Sequence, residues 1–382
     1  MTAVAALAGA GGARGAPVVV PTVLAATPVT DPVVALPQAV STTLIRYSST
    51  SVRGQPTQMT GTLLLPRSAP PPGGWPLAVW NHMTVGAADV CAPSSARAGD
   101  PELAHMTSGN RIVGRLLDAG IAVVRPDFEG IGAPGPHPYL IGRSLARSTI
   151  DAALAVRHTD SRIGRDVVLA GHSEGAVAAL FAAASPAVEW GGLRLRAVAA
   201  VTPPTHMGDI VSGVGQLPFG GAPTADLVGL AALLIHGAAA ADPGFAGLVE
   251  RGGLSPAARR LLPHLESRCY TGLSASDSFG GMAPTQLLGP RGVSARAQLA
   301  AIVDRNDVAH LRFPAGLPIR VDAGAYDAVA PLPVVAELVG KYRRAGTPVD
   351  FAVHPAGHTP VPTDPRTATA IAEWLTARLE PR

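Results

Sequence analysis

Apolar residues fall along this chain in short runs that alternate with segments of helical spacing, and the alternation is regular enough to read as a succession of elements. Thr43 to Ser49 and Gln58 to Leu65 alternate apolar and polar positions and predict an antiparallel pair of strands. Leu77 to Asn81 is a short apolar run of the kind buried on both faces of a sheet. Asn110 to Asp118 has helical spacing that Gly120 stops, and Ile121 to Pro126 follows as a strand. Arg143 to Arg157 then reads as a helix, Asp166 to Ala170 as a strand, Ala176 to Ala184 as a helix and Arg196 to Val201 as a strand. From about Pro203 to Pro314 the rhythm lapses into a Gly- and Pro-rich segment, with one apolar helix near Leu227 and another at Ser255 to Leu265. It resumes with a strand at Leu317 to Asp322, a helix at Pro333 to Ala345, a strand at Val349 to Val353 and a helix at Arg366 to Leu379. Such alternation predicts an α/β fold, a mostly parallel sheet with helices on both faces. The expected organisation is a tail or weak leader at 1–40, a first part of the core at 41–202, an insertion at 203–314 and a second part of the core at 315–382.

Composition narrows the field. A chain of 382 residues that is 47% hydrophobic can bury a large core. The net charge of +3 is spread thinly, Lys341 is the only lysine, and no basic block marks a nucleic-acid surface. Two cysteines, Cys91 and Cys269, are too few for a zinc cluster or a disulfide scaffold, although they could pair once. Met1 to Ala26 is small and apolar but lacks a basic region ahead of the apolar part and carries Pro17 and Pro21, so it makes a poor signal peptide and no membrane helix. A misplaced start, a cleaved leader and a flexible tail all fit it. The run Leu227 to Ile235 is too short to span a bilayer, and a soluble protein is expected.

The chemistry concentrates at Gly171-His172-Ser173-Glu174-Gly175, between a strand and a helix. A turn that sharp holds a serine in strained backbone angles, exposes its hydroxyl at the tip of the sheet and aims the N–H of the next residue, Glu174, at the same point. A serine hydroxyl needs a base to remove its proton, and the base needs a carboxylate to hold its tautomer. In a sheet of this kind the order is Ser, acid, His, each just beyond a strand end. Asp327 and His358 fit that order and those loops. Asp322 and Asp350 are rival acids at less suitable places on strands, and His354 is a rival base beside a strand end. His172 is expected to pack or hydrogen-bond within the elbow. A second oxyanion donor is expected from the backbone N–H of Met83 or Thr84, in the loop that begins at Asn81.

Two further patterns fail on local grounds. Gly130-Ile-Gly-Ala-Pro-Gly135 has dinucleotide-binding spacing, but Pro134, Pro136 and Pro138 prevent it from opening a helix. His354 and His358 are four apart, but Pro355 and Gly357 oppose a metal-binding helix. No cofactor and no metal are expected.

With the elbow, three stretches carry a likeness. Trp80-Asn-His-Met-Thr-Val-Gly86 running on to Asp89-Val-Cys-Ala-Pro-Ser94, Pro126-Asp-Phe-Glu-Gly-Ile-Gly132 with Pro134 to Arg143, and Asp327 and His358 at their spacing make the chain from about residue 40 onward resemble the secretory lipase family. The resemblance implies an α/β-hydrolase fold, hydrolysis of carboxylic esters through Ser173, Asp327 and His358, and an insertion that serves as a helical lid over an acyl pocket. It also implies a Cys91–Cys269 disulfide, which would favour an oxidising compartment, secreted or in the cell envelope; with so weak a leader, a cytoplasmic location is the alternative. Met83 stands where the family has glycine, which bears on the acyl entrance and on which N–H serves. The expected partner is a small-molecule or lipid ester, with transient contact to a lipid interface and no nucleic acid. A peptidase or amidase on the same three residues, and a catalytically silent acyl-binding protein, remain as alternatives.

Overall fold

The computed structural model describes residues 19–380. Residues 1–18, which hold most of the stretch read as a leader, lie outside the described residues. Nine strands form one sheet: β1 (Val23–Pro28), β2 (Ala39–Thr50), β3 (Pro56–Pro66), β4 (Trp75–Asn81), β5 (Ala122–Pro126), β6 (Ile163–His172), β7 (Arg194–Val201), β8 (Ile319–Gly324) and β9 (Val349–His354). Their order is β1-β2-β3-β5-β4-β6-β7-β8-β9. The edge from β1 to β5 is antiparallel, and from β5 through β4 to β9 every pairing is parallel.

The segment expected to be a tail corrects itself at this edge. Val23–Pro28 pairs with β2 as an added strand, and β2 begins at Ala39. Five of the six residues of β1 are exposed, so its sequence lacks the inward-facing apolar positions that mark a strand from pattern alone.

The central strands are apolar on both faces because both faces are covered. Leu77 and Val79 of β4 and Val167 and Leu169 of β6 lie in one core with Leu145, Ile150, Val177 and Leu338. The intervening Ala78, Trp80, Val168 and Ala170 lie in the opposite core, against Ile112, Leu116, Ile371 and Leu375. This period of two, with helices on either side, is why the strand runs contain no polar alternation.

Between β7 and β8 the inserted segment contains more helix than its Gly- and Pro-rich sequence suggests. Beside the expected Ala225–Ala241 and Pro256–Leu261, it forms Met207–Val214 and Gly292–Arg305, which pack on each other. The segment is tied to the core at several points. Arg53 donates to the carbonyls of Ala239 and Ala240, Tyr270 N–H donates to Val85 O at 2.9 Å, and Cys91 is disulfide-bonded to Cys269. Among the described residues no single helix is long and apolar enough to cross a membrane.

One buried charge gives the core a pH signature. Asp151, on helix Gly142–Thr159, accepts a 2.7 Å hydrogen bond from Ser49, and Arg147 is 3.9 Å away. Burial raises its carboxyl from 3.8 to about 6. The native state therefore holds this proton more tightly than the unfolded chain, so the group's contribution to stability is fully present below about pH 4 and is lost as pH rises through about 6. Asp151→Asn is expected to leave stability at pH 4 almost unchanged and to raise it at pH 8 by about 1–3 kcal/mol. Thermal unfolding at the two pH values checks this, and an equal change at both would refute the assignment.

Candidate active site

β6 ends at His172, and the chain turns at once into helix Glu174–Ala184. Ser173 occupies the turn with φ 55° and ψ −115°, a conformation that a non-glycine residue adopts only when its surroundings enforce it. Its N–H donates to Val201 O of the neighbouring β7. The flanking glycines are required by contact. A Cβ on Gly171 would lie 2.0 Å from Gly175 O, and a Cβ on Gly175 would lie 2.0 Å from Asn81 O. The elbow is thus pressed against the start of the loop after β4.

Parallel strands β8 and β9 deliver the other two groups to the same end of the sheet. Ser173 Oγ is 2.8 Å from His358 Nε2, and His358 Nδ1 is 2.7 Å from Asp327 Oδ2. The remaining oxygen of Asp327 accepts the backbone N–H groups of Val329 and Ala330, at 2.8 and 2.7 Å. That carboxylate is held in one orientation and can only accept, so Nδ1 of His358 carries the proton and Nε2 is free to take one from Ser173.

The rival residues pair with each other. His354 Nε2 meets Asp322 Oδ1 at 2.8 Å, Arg320 donates to both oxygens of Asp322 at 2.8 Å, and Thr367 faces His354 Nδ1 at 3.0 Å. None of these groups reaches Ser173. Asp350 accepts from Trp374 at the sheet's far edge. His172 makes no bond to Ser173 and bonds through Nε2 to the backbone carbonyl of His358 at 3.1 Å. Burial, reinforced by the neighbouring His358, pushes its imidazole well below the usual value, so it stays neutral and braces the His358 loop.

Met83 and Thr84, in the loop after β4, and Glu174, at the start of the helix after the elbow, are all buried. Among the described residues their backbone N–H groups meet no protein acceptor; that of Glu174 is one of the orphan donors of a helix start. The proline-rich loop after β5 is bonded to two of them, Glu174 and Thr84. Asp127 in that loop accepts from Ser94 N–H and Thr60 Oγ, which joins the Cys-Ala-Pro-Ser stretch to the loop. His137 and Tyr139 contact Glu174 and Thr84. Neither His137 nor Tyr139 stands out in the sequence, since nothing local distinguishes a histidine that reaches the elbow from one in solvent. Gly130 to Gly135 remains a loop and opens no helix. Among the described residues no three His, Cys, Asp or Glu side chains come together as a metal site.

The same architecture recurs in known proteins. The closed state of Candida antarctica lipase A superposes with a TM-score of 0.72 at 20% identity, covering 88% of this chain and 77% of that one. The rice cell wall degrading esterase LipA of Xanthomonas oryzae superposes with a TM-score of 0.67 at 20% identity, covering 94% and 99%. No curated protein matches in sequence. These likenesses give the α/β-hydrolase fold. Residues 104–382, which include the elbow, the inserted segment and both strand ends that carry Asp327 and His358, match the profile of the secretory lipases, and the chain therefore belongs to the secretory lipase family.

Proposed function

We propose that this lipase-family protein cleaves carboxylic esters through an acyl-enzyme on Ser173. The observation that carries the reading is the unbroken line of hydrogen bonds from Ser173 through His358 to Asp327, beneath a serine held at positive φ. Ser173 Oγ attacks the ester carbonyl as His358 Nε2 takes its proton, and Asp327 stabilises the imidazolium that forms. The N–H of Glu174, with that of Met83 or Thr84, receives the negative oxygen, a donor set preorganised by the elbow and the loop packed on it. His358 then protonates the leaving alkoxide, and water repeats the cycle to release the acid.

The inserted segment supplies the acyl side of this reading. Its helices enclose an apolar cavity lined by residues such as Val211, Leu227, Leu234, Phe245, Leu254 and Leu287. The three catalytic residues do not line it, but the segment leaves the core immediately after β7, whose Val201 is bonded to Ser173. We read residues 203–314 as a lid whose cavity receives an acyl chain, with transient contact to a lipid surface. The Cys91–Cys269 bridge fits an oxidising compartment and thus secretion.

The test is a panel of p-nitrophenyl esters of increasing acyl length, run beside an aminoacyl amide, with fluorophosphonate labelling. Ester turnover and labelling at Ser173 are expected. Amide cleavage without ester cleavage would favour a peptidase, and a folded, unlabelled protein would favour a silent acyl-binding role.

A further inference from the structure

Two buried side chains of one loop reach the two halves of the oxyanion site. The loop follows β5 and runs from Asp127 to Ile141. Its His137 is fully buried, with Nδ1 2.8 Å from the loop's own Glu129 carbonyl and Nε2 2.8 Å from Glu174 Oε1. Both neighbouring atoms are oxygen acceptors. A carbonyl can only accept, so Nδ1 carries a proton, and one further proton is shared between Nε2 and the Glu174 carboxyl. The other oxygen of Glu174 is buried without a hydrogen-bond partner, which makes His137 the sole hydrogen-bond anchor of that side chain among the described residues. Burial lowers the His137 imidazole, but the charge and hydrogen bond of Glu174 and the Glu129 carbonyl outweigh it and leave the imidazole above its ordinary value. Two residues further along, Tyr139 Oη is 2.9 Å from Thr84 Oγ1.

Glu174 is the residue whose N–H follows the nucleophile, and Thr84 lies in the loop that offers the second N–H. The loop that ties them is itself held from both sides. His137 stacks on Phe128 at a centroid distance of 6.3 Å. Helix Ala225–Ala241 of the inserted segment seats Gly237 against Tyr139 so closely that a Cβ there would lie 2.4 Å from Tyr139 N. His137, Tyr139, Thr84 and Glu174 do not line the acyl cavity, and none of their side chains is hydrogen-bonded to Ser173, His358 or Asp327.

We propose that His137 and Tyr139 are positioning residues for the oxyanion site, His137 by clamping Glu174 and Tyr139 by clamping Thr84, so that one loop sets the spacing of the two donors. This rests on the reading of Ser173 as the nucleophile. It predicts an effect on the transition state and not on the bound ester, because the oxyanion forms only as the carbonyl is attacked.

The experiment compares His137→Phe, His137→Gln and Tyr139→Phe with the wild type on one p-nitrophenyl ester. kcat is expressed per site titrated to completion by a fluorophosphonate, so that misfolded protein is not counted. His137→Phe keeps an aromatic ring against Phe128 and removes the bond to Glu174; kcat per site is expected to fall about 10- to 100-fold with KM within about 2-fold, less than the loss of a whole oxyanion donor. His137→Gln, which retains a donor for Glu174, is expected to recover a large part of that loss. Tyr139→Phe removes only a hydroxyl and is expected to lower kcat per site about 5- to 20-fold, again at constant KM. The proposal is overturned if the three variants retain kcat per site within about 2-fold of the wild type, or if the losses appear in KM. It is also overturned if Gln at 137 is no better than Phe. Should His137→Phe yield no folded protein, Tyr139→Phe decides the matter by the same limits. A wild-type enzyme that turns over ester without labelling at Ser173 would instead refute the reading of the nucleophile, which distinguishes the two failures.

Discussion

Ser173→Ala is expected to lower kcat/KM for ester hydrolysis on the order of 10⁴- to 10⁶-fold, equivalent to about 5–8 kcal/mol of transition-state stabilisation. The size follows from the arrangement of the site. Removing Oγ removes the atom that forms the acyl-enzyme, while His358, Asp327 and the three free N–H groups keep their places. A residual rate over water is therefore expected, from the oxyanion donors and substrate binding alone. Alanine at φ 55° carries the same backbone strain as serine there, so the unfolding midpoint is expected within about 2 °C of the wild type. Initial rates on a short p-nitrophenyl ester, with a thermal melt of the same sample, check both halves. Retention of comparable activity by a folded variant would end the assignment of Ser173.

Asp327→Asn is expected to cost on the order of 10³- to 10⁴-fold in kcat without disturbing the fold, the loss that a wrongly protonated imidazole brings in a triad of this type. The backbone N–H groups of Val329 and Ala330 donate to Oδ1, so the side-chain carbonyl of an asparagine would settle there. Its NH₂ would then replace Oδ2 and face His358 Nδ1 as a donor. That arrangement favours the tautomer with the proton on Nε2, which points a donor at Ser173 Oγ and leaves no base. The rival acid supplies the control. Asp322→Asn weakens the bidentate bond with Arg320 and the pairing with His354, and is expected to reduce stability while leaving kcat within about 10-fold, since neither group reaches the nucleophile. Steady-state kinetics on both variants check this. A larger loss in kcat from Asp322→Asn than from Asp327→Asn would reverse the assignment.

Much of the candidate site was legible because its signals are local. The elbow is written in two glycines and a serine between an apolar strand and an alanine-rich helix, and the contacts at Gly171 and Gly175 give the steric reason for that spelling. Asp327 and His358 were readable as loop residues just past strand ends, the places where a parallel sheet collects its functional groups. The choice between Asp327 and Asp322, and between His358 and His354, was open to argument in sequence but depends on direction. Asp322 lies within β8 and points its carboxylate to Arg320 and His354, whereas Asp327 lies in the turn beyond and points to His358.

The sequence by itself determined the α/β rhythm, the succession of strands from Ala39 onward and the glycine-flanked serine between a strand and a helix. Each of these follows from periodicity and turn chemistry over a few residues. Only the tertiary structure decided that Val23–Pro28 extends the sheet, that Gly292–Arg305 packs on Met207–Val214 between β7 and β8, and that His137 and Tyr139 bond to Glu174 and Thr84. These depend on contacts between residues far apart in sequence, where a polar side chain in a loop has the same local signature whether it ends in solvent or against the elbow. The neighbours brought to it by the sheet order determine which of the two it does.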